Sequence, residues 1–441
     1  MTGRWSPGSP SHVLELTANF LGAPRFAAAL TNTIIGTGLA SLFLRDLIGW
    51  PGLIGVVTAL VVLASLSMFA SRHAIEWHGL LPISLLVFVA WVAASVFWSQ
   101  YQWATSASIL YFAAFTMLGI YIGLLRDTIQ IARAFGDVLR VALGLALGLE
   151  IISGLLLDSP FGFLQIEGNL AHLGPIQGIW GDRNQLAVVA LLAMVTFATE
   201  LRTRSVRRPV SSTSLALAVV MLALSRSPIG YGALAVLTVM TAALLGLRRL
   251  RNENKRYWQF GLLAVAIAVG AVSWAFRVNV INALSASAEL NERLQLWRQL
   301  RLLIPSHELG GWGWVGIWRG DIEPYQSLLL RTDRDPASGL NAFLDVWFQL
   351  GLIGLIIFVG LIGLTFIRSW LLASKQRSIV YAWPALILVV LILTGLAESS
   401  ILREFGWLTF VVCSVKAARE LSWRKAFAET PVRETTPGEL D

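Results

Sequence analysis

Charge is scarce in this chain, and so is cysteine. Of 441 residues, only 14% are Asp, Glu, Lys or Arg, against about 25% in soluble globular domains. That shortfall excludes an ordinary soluble fold. The single cysteine, Cys413, sits in an apolar run. One thiol excludes an intrachain disulfide, and no Cys/His spacing typical of a metal site occurs. The histidines His12, His73, His78, His172 and His307 are scattered, which argues against a histidine-ligated metal. No Walker A pattern occurs, so hydrolysis of cytosolic ATP has no support. A cleavable signal pattern is also missing. Residues 1–25 are polar and rich in Pro and Gly, and the first apolar run leads to further spans.

What the chain has is hydrophobic length: 56% of its residues are hydrophobic. Apolar runs of roughly 20 residues recur throughout, the pattern of an all-α polytopic integral membrane protein. About twelve spans are expected, near 26–44, 51–70, 80–98, 104–124, 136–157, 184–199, 212–228, 229–247, 258–280, 341–367, 379–397 and 401–417. Lys and Arg alternate between sides. One side carries Arg72, the run Arg202–Arg208, Arg248–Arg256 and the basic C-terminal tail. The other offers Arg45, Arg183, Arg226 and Arg403 in short loops. The positive-inside rule then puts both termini in the cytoplasm of a multi-pass cytoplasmic-membrane protein. The net charge of +8 reads as this orientation signal beside anionic membrane lipid, not as nucleic-acid binding. The expected organisation is a cytoplasmic tail 1–25, spans 1–9 over 26–280 with an exoplasmic loop 158–183, a large exoplasmic loop 281–338, spans 10–12 over 339–417 and a cytoplasmic tail 418–441.

The large loop keeps a helical pattern. Leu290, Leu294, Trp297, Leu300 and Ile304 recur at spacings of 4, 3, 3 and 4, one apolar stripe. "PSHELGGWGWVGIW" follows, with glycines between Trp312, Trp314 and Trp318. The reading is a helical cap between spans 9 and 10, lying on the membrane with tryptophans at headgroup level. An ordinary surface loop with an interfacial anchor is the plainer alternative.

Ionisable groups at membrane depth are costly and point to function. Arg226, in "LALSRSPIGYG", is either a snorkelling arginine or an anion contact whose guanidinium fork suits phosphate. Arg183, in "GIWGDRNQLAVV", is either solvated beside a helix cap or a second anion-binding group at a positive helix N-terminus. Arg293, Trp297 and Arg301 fall at i, i+4 and i+8 of the cap helix, a strip that suits phosphate or sugar rings, or a solvated face. Glu398, with Arg403 and Glu404, belongs to a local ion pair in a turn or to the same pocket. Asn341 and Asp345 open the span "SGLNAFLDVWFQLGLIGL". Asn341 either caps it or hydrogen-bonds a sugar, and Asp345 is expected to orient an arginine. Most span middles lack charge, which argues against a path across the membrane. Glu150 is the exception. Exoplasmic arginines, a few carboxylates and a Trp-rich cap suit a lipid pyrophosphate bearing a glycan.

The motifs "GPIQGIWGDRNQLA", "LALSRSPIGYGAL", "ERLQLWRQ…GGWGWVGIW" and "SGLNAFLDVWFQLGLIGL", in that order over roughly 160–370, resemble the bacterial O-antigen ligase and O-antigen polymerase-like membrane glycosyltransferases, in particular their actinobacterial type. The resemblance implies a C-type glycosyltransferase-like membrane fold without metal or other cofactor. It implies a polyprenyl-pyrophosphate-linked glycan donor, and a glycan or glycolipid acceptor whose sugar hydroxyl is glycosylated outside the membrane. It implies that Arg183, Arg226 and Arg293 hold the pyrophosphate. It also implies a histidine immediately before Asn341, where this chain has Leu340. Leucine moves no proton. His307, Glu398, Asp335 and Asp345 are the remaining candidates for a base. The alternatives are a homologue that binds lipid-linked glycan with impaired catalysis, and a lipid-glycan transporter.

Overall fold

A computed structural model describes residues 19–72, 82–249, 287–332 and 337–420. It is helical, with no strand among the described residues beyond one isolated bridge, Phe161 to Ile166. In chain order the helices are α1 (Pro24–Leu39), α2 (Ser41–Ala70), α3 (Ile83–Ala94), α4 (Gln102–Leu125), α5 (Thr128–Ile151, continuing through a π turn), α6 (Arg183–Thr203), α7 (Arg208–Ser225) and α8 (Pro228–Arg249). After residues 250–286 come α9 (Ser287–Leu303), α10 (Tyr325–Thr332), α11 (Ala342–Lys375), α12 (Ala382–Gly395) and α13 (Glu404–Glu420). Seven of these helices are long and apolar enough to cross a membrane: α2, α4, α5 with its π turn, α6, α7, α8 and α11. Two shorter apolar helices lie at Ile83–Phe97 and Ile379–Gly395. Seven of the twelve expected spans coincide with these long helices; those near 80–98, 379–397 and 401–417 fall on shorter ones, and the one near 26–44 runs across the break at Ala40 between α1 and α2. The span near 258–280 lies outside the described residues, as do His12, His73, His78 and Asp335.

Burial sorts the helices. Nearly every residue of α12 is buried, and α6 is buried along most of its length, so these two form the centre. On α2, Ile54, Val62, Leu66 and Phe69 are exposed. Apolar side chains facing outward are the surface a lipid tail covers.

A buried carboxylate orders the connection from α5 to α6. Glu150, fully buried near the end of α5, accepts the backbone N–H groups of Gln177 at 3.0 Å and Gly178 at 2.8 Å. It fixes the connection that leads into α6. Trp180 Nε1 donates to Leu39 O at 2.8 Å, and Ile176 N donates to Leu224 O at 3.1 Å. A carboxylate buried in an apolar medium is stabilised by such donors.

The α9 region docks on the same body. Its deepest line is Arg293, Leu296, Leu300 and Ile304, rotated from the stripe expected through Leu290 and Leu294. The reason is polar: Glu398 and the carbonyls of Ala397 and Leu340 on the bundle take the donors of Arg293, and the helix presents that face inward. The tryptophans differ from expectation too. Trp314 and Trp318 are 1% and 5% exposed, so they are core and not headgroup anchors. Trp314 packs on Phe112, and Trp318 on Phe348 and Tyr325.

Helix α11 is broken at Gly351, whose φ of 71° lies in the left-handed region. A side chain there would collide with the backbone of Leu309, so glycine is required. The break frees backbone groups, and the segment 308–313 takes them. Trp312 N donates to Phe348 O at 3.1 Å and Gly313 N to Gln349 O at 2.9 Å. Leu352 N donates to Glu308 O at 2.8 Å and Ile353 N to Leu309 O at 3.4 Å. Irregular backbone at membrane depth is tolerated when protein satisfies it in this way.

Candidate functional site

The site grows from four helix ends. Asp182 caps α6, accepting from Asn184 N at 3.0 Å. That cap sets Arg183, Asn184 and Gln185 on the first turn. Where α7 ends, Arg226 adopts φ 46°, and the chain turns at once into α8. Ser227 Oγ donates to Asn184 Oδ1 at 2.6 Å and accepts from Gly230 N at 3.0 Å. Thus the residues following Arg183 and Arg226 are hydrogen-bonded, and the two arginines stand on adjoining helix mouths.

Glu289, in the first turn of α9, ties that pair of mouths to the cap helix. It accepts from Arg183 Nη2, from Asn184 Nδ2 at 2.8 Å and from Arg293 Nη2 at 2.9 Å. Arg293 reaches further. Its Nη2 donates to Glu398 Oε1 at 2.7 Å, and its Nη1 to the carbonyls of Ala397 and Leu340. Gln185 Nε2 lies 3.5 Å from the other Glu398 oxygen. Arg183, Asn184, Glu289, Arg293 and Glu398 therefore form one network joining α6, α9, the start of α11 and the end of α12.

The electrostatics follow from burial and pairing. Burial pushes the Glu398 carboxyl up to about 7, the nearby charge of Asp182 adds to this, and Arg293 opposes it. Asp182 is raised for the same first reason. Burial alone would raise Glu289, but hydrogen bonds from Arg293, Asn184 and Arg183 outweigh it and leave the carboxyl lowered. Burial would lower Arg293, and its carboxylate partners raise it instead.

The remaining expected residues have defined posts. Asn341 caps α11: Oδ1 accepts from Phe343 N and Leu344 N, both at 3.0 Å, while Nδ2 donates to Leu396 O at 2.8 Å. Of its two expected roles it takes the cap. Asp345 does not hold an arginine by hydrogen bond. It accepts from Trp318 Nε1 at 2.9 Å, Gln349 Nε2 at 2.6 Å and Gly339 N at 3.3 Å, because a buried carboxylate one turn into α11 faces the glycine–tryptophan loop. Gln349 continues the chain, accepting from Val315 N and Gly316 N. The indole of Trp297 is half-buried and donates to Gly339 O at 2.9 Å, so it positions the residues before Leu340. His307 lies beyond the far end of α9, against Trp312, with Nδ1 3.2 Å from Ser306 Oγ. The helix alone puts roughly 15 Å between Arg293 and Leu303, so His307 is not part of the network.

Leu340 has φ 48°. A leucine in the left-handed region is disfavoured, and backbone strain of this kind gathers at functional sites. Arg226 is exposed, and its Nη2 makes a 3.3 Å bond to His172 O. Arg183 keeps 32% of its side chain exposed. Of Arg183, Arg226 and Arg293, these two are the ones that a ligand can reach. Glu289 and Gln185 escaped sequence reasoning. The i, i+4 spacing of Glu289 and Arg293 was a visible signal; nothing local announced Gln185.

The described residues define a multi-pass helical membrane protein in which one network of ionisable groups joins Arg183, Glu289, Arg293 and Glu398. Residues 213–359 match the family model for O-antigen ligase, which supports an O-antigen ligase-like family for this chain. The match runs from α7 into α11 and includes Arg226, Arg293, Leu340, Asn341 and Asp345. It also supports a membrane glycosyltransferase-like function in polysaccharide assembly, with lipid-linked glycan and acceptor as partners. No curated protein matches the chain.

Proposed function

We propose that the chain transfers a glycan from a polyprenyl-pyrophosphate carrier to an acceptor sugar hydroxyl, on the exoplasmic face of a bacterial cytoplasmic membrane, with both termini in the cytoplasm. The observation that carries this is the pair of accessible arginines, Arg183 and Arg226, on hydrogen-bonded helix mouths. Two guanidiniums at a positive helix N-terminus suit a pyrophosphate. In the reaction the acceptor oxygen forms a bond to the anomeric carbon. The bond from that carbon to the pyrophosphate oxygen breaks, and polyprenyl pyrophosphate leaves with the electron pair. The arginines stabilise the charge that grows on the leaving group. The hydroxyl proton passes to Glu398, whose carboxyl near 7 is matched to general-base work. Its Oε1 is held by Arg293, and its Oε2 faces Gln185.

Arg183→Ala and Arg226→Ala together should make lipid-linked glycan accumulate in cells and stop its transfer. Unchanged glycan assembly in the double variant would refute the mechanism.

Leu340 favours a second reading, a homologue that binds lipid-linked glycan with impaired transfer. Leu340→His separates the two. A rise of roughly 10²–10⁴-fold in transfer, the usual worth of a general base, supports impairment. Unchanged transfer supports the first reading.

A further inference from the structure

A second polar concavity opens beside the network. It contains about 570 Å³ of empty space, the open mouth included. Arg45 of α2, Gln185 of α6, and Ser400, Arg403 and Glu404 around the start of α13 line it, with Trp180 on one wall. None of these except Gln185 belongs to the network above. Gln185 is shared: its amide reaches Glu398 on one side and borders this cavity on the other.

Two buried polar atoms of these residues have no partner within the protein. Ser400 is 2% exposed, and its Oγ has no protein partner. Arg403 Nε is likewise buried without a partner, while its Nη2 is held by Ala337 O. Arg45 bonds Asp46 through Nε at 3.3 Å and lies over the Trp50 ring. Asp46 in turn accepts from Gln165. A buried hydroxyl left unpaired costs free energy comparable to a lost hydrogen bond.

The chemistry of the walls narrows the ligand. Two guanidiniums favour an anion. The Glu404 carboxylate, which accepts from Tyr111 at 3.2 Å, repels a group with negative oxygens on every side, such as a phospholipid phosphate. Serine, glutamine and carboxylate together pair with hydroxyls, donating and accepting. An acid with hydroxyls around it satisfies all of them.

We infer that this cavity binds an acidic saccharide, its carboxylate on Arg45 and Arg403 and its hydroxyls on Ser400, Gln185 and Glu404. The bound sugar is the acceptor, presented past Gln185 to Glu398; this last step rests on the transferase reading, whereas the binding does not.

The test uses the full chain in nanodiscs of neutral phosphatidylcholine, without any donor. Methyl β-glucuronide and methyl β-glucoside are titrated by calorimetry. The glucuronide should bind roughly 10-fold more tightly or better, the worth of one charge-assisted hydrogen bond. Arg45→Gln and Arg403→Gln should each weaken it by a similar factor. Arg403 also holds Ala337, so if that variant fails to fold, Arg45→Gln and the wild-type preference still decide. Equal binding of the two glycosides, full binding in Arg45→Gln, or displacement of the glucuronide by added phosphatidylglycerol would overturn the assignment. A chain that binds the glucuronide and transfers nothing breaks the transferase reading alone. One that transfers glycan but ignores the glucuronide breaks this one alone.

Discussion

Arg293 and Arg226 are the same residue type at the same end of the bundle, and they live in opposite conditions. Arg293 is 6% exposed and gives its donors to Glu289, Glu398 and two carbonyls. Arg226 is exposed and makes one long bond to His172. Arg293 fastens α9 to the bundle, whereas Arg226 retains donors for an incoming anion. The difference teaches that an arginine at a membrane mouth has to be judged by its free donors. A guanidinium already saturated by carboxylates has little left for a phosphate.

The sharpest way to break this contrast is to truncate both. Arg293→Ala leaves Glu398 buried without its cation, and removing one member of a buried pair costs about 3–5 kcal/mol. The expected outcome is a large fall in the unfolding midpoint in detergent. Arg226→Ala should stay within about 0.5 kcal/mol of wild type while losing transfer. Equal destabilisation by the two would abolish the distinction.

The next effect concerns Glu398. Its folded carboxyl titrates at about 7, above the ordinary value, so the fold holds a proton that the unfolded chain releases. Its contribution to stability is present below the ordinary carboxylate range and is lost as pH rises through about 7. Summed over that window the loss is on the order of 3 kcal/mol. Glu398→Gln should flatten the decline in midpoint between about pH 5 and 7.5. A variant profile parallel to wild type would show that this carboxyl is not the titrating group.

The smallest effect tests the backbone at Leu340. Its φ of 48° suits histidine better than a β-branched residue. Leu340→His should change stability by less than about 1 kcal/mol, and Leu340→Val should cost about 1–2 kcal/mol. Chemical-denaturation midpoints of the two variants check the order.

Much of the helical layout was legible because apolar runs and turn residues are local signals. The expected span at 184–199 lies within α6, and the one at 341–367 matches α11 together with its cap Asn341. Asn341 as a cap was legible for the same reason. The network was not. Arg293 and Glu398 are 105 positions apart, and nothing near either one in sequence specifies the other. The inward turn of Trp314 and Trp318 was equally hidden, since tryptophan suits an interface and a core alike. The face of α9 was misjudged by a small rotation, because hydrophobic spacing does not register the pull of a carboxylate on another helix.

The break in α11 has a mechanical consequence. Four backbone hydrogen bonds stitch 308–313 into it. Peeling that segment away would strand groups costing about 1–3 kcal/mol each, in a medium that offers no water to replace them. The far end of α9 is therefore a clamped end, and among the described residues the near end is held through the side chains of Glu289 and Arg293. If the helix moves during a reaction cycle, it swings like a door with its hinge at 308–313, and Glu289 and Arg293 are the bolt.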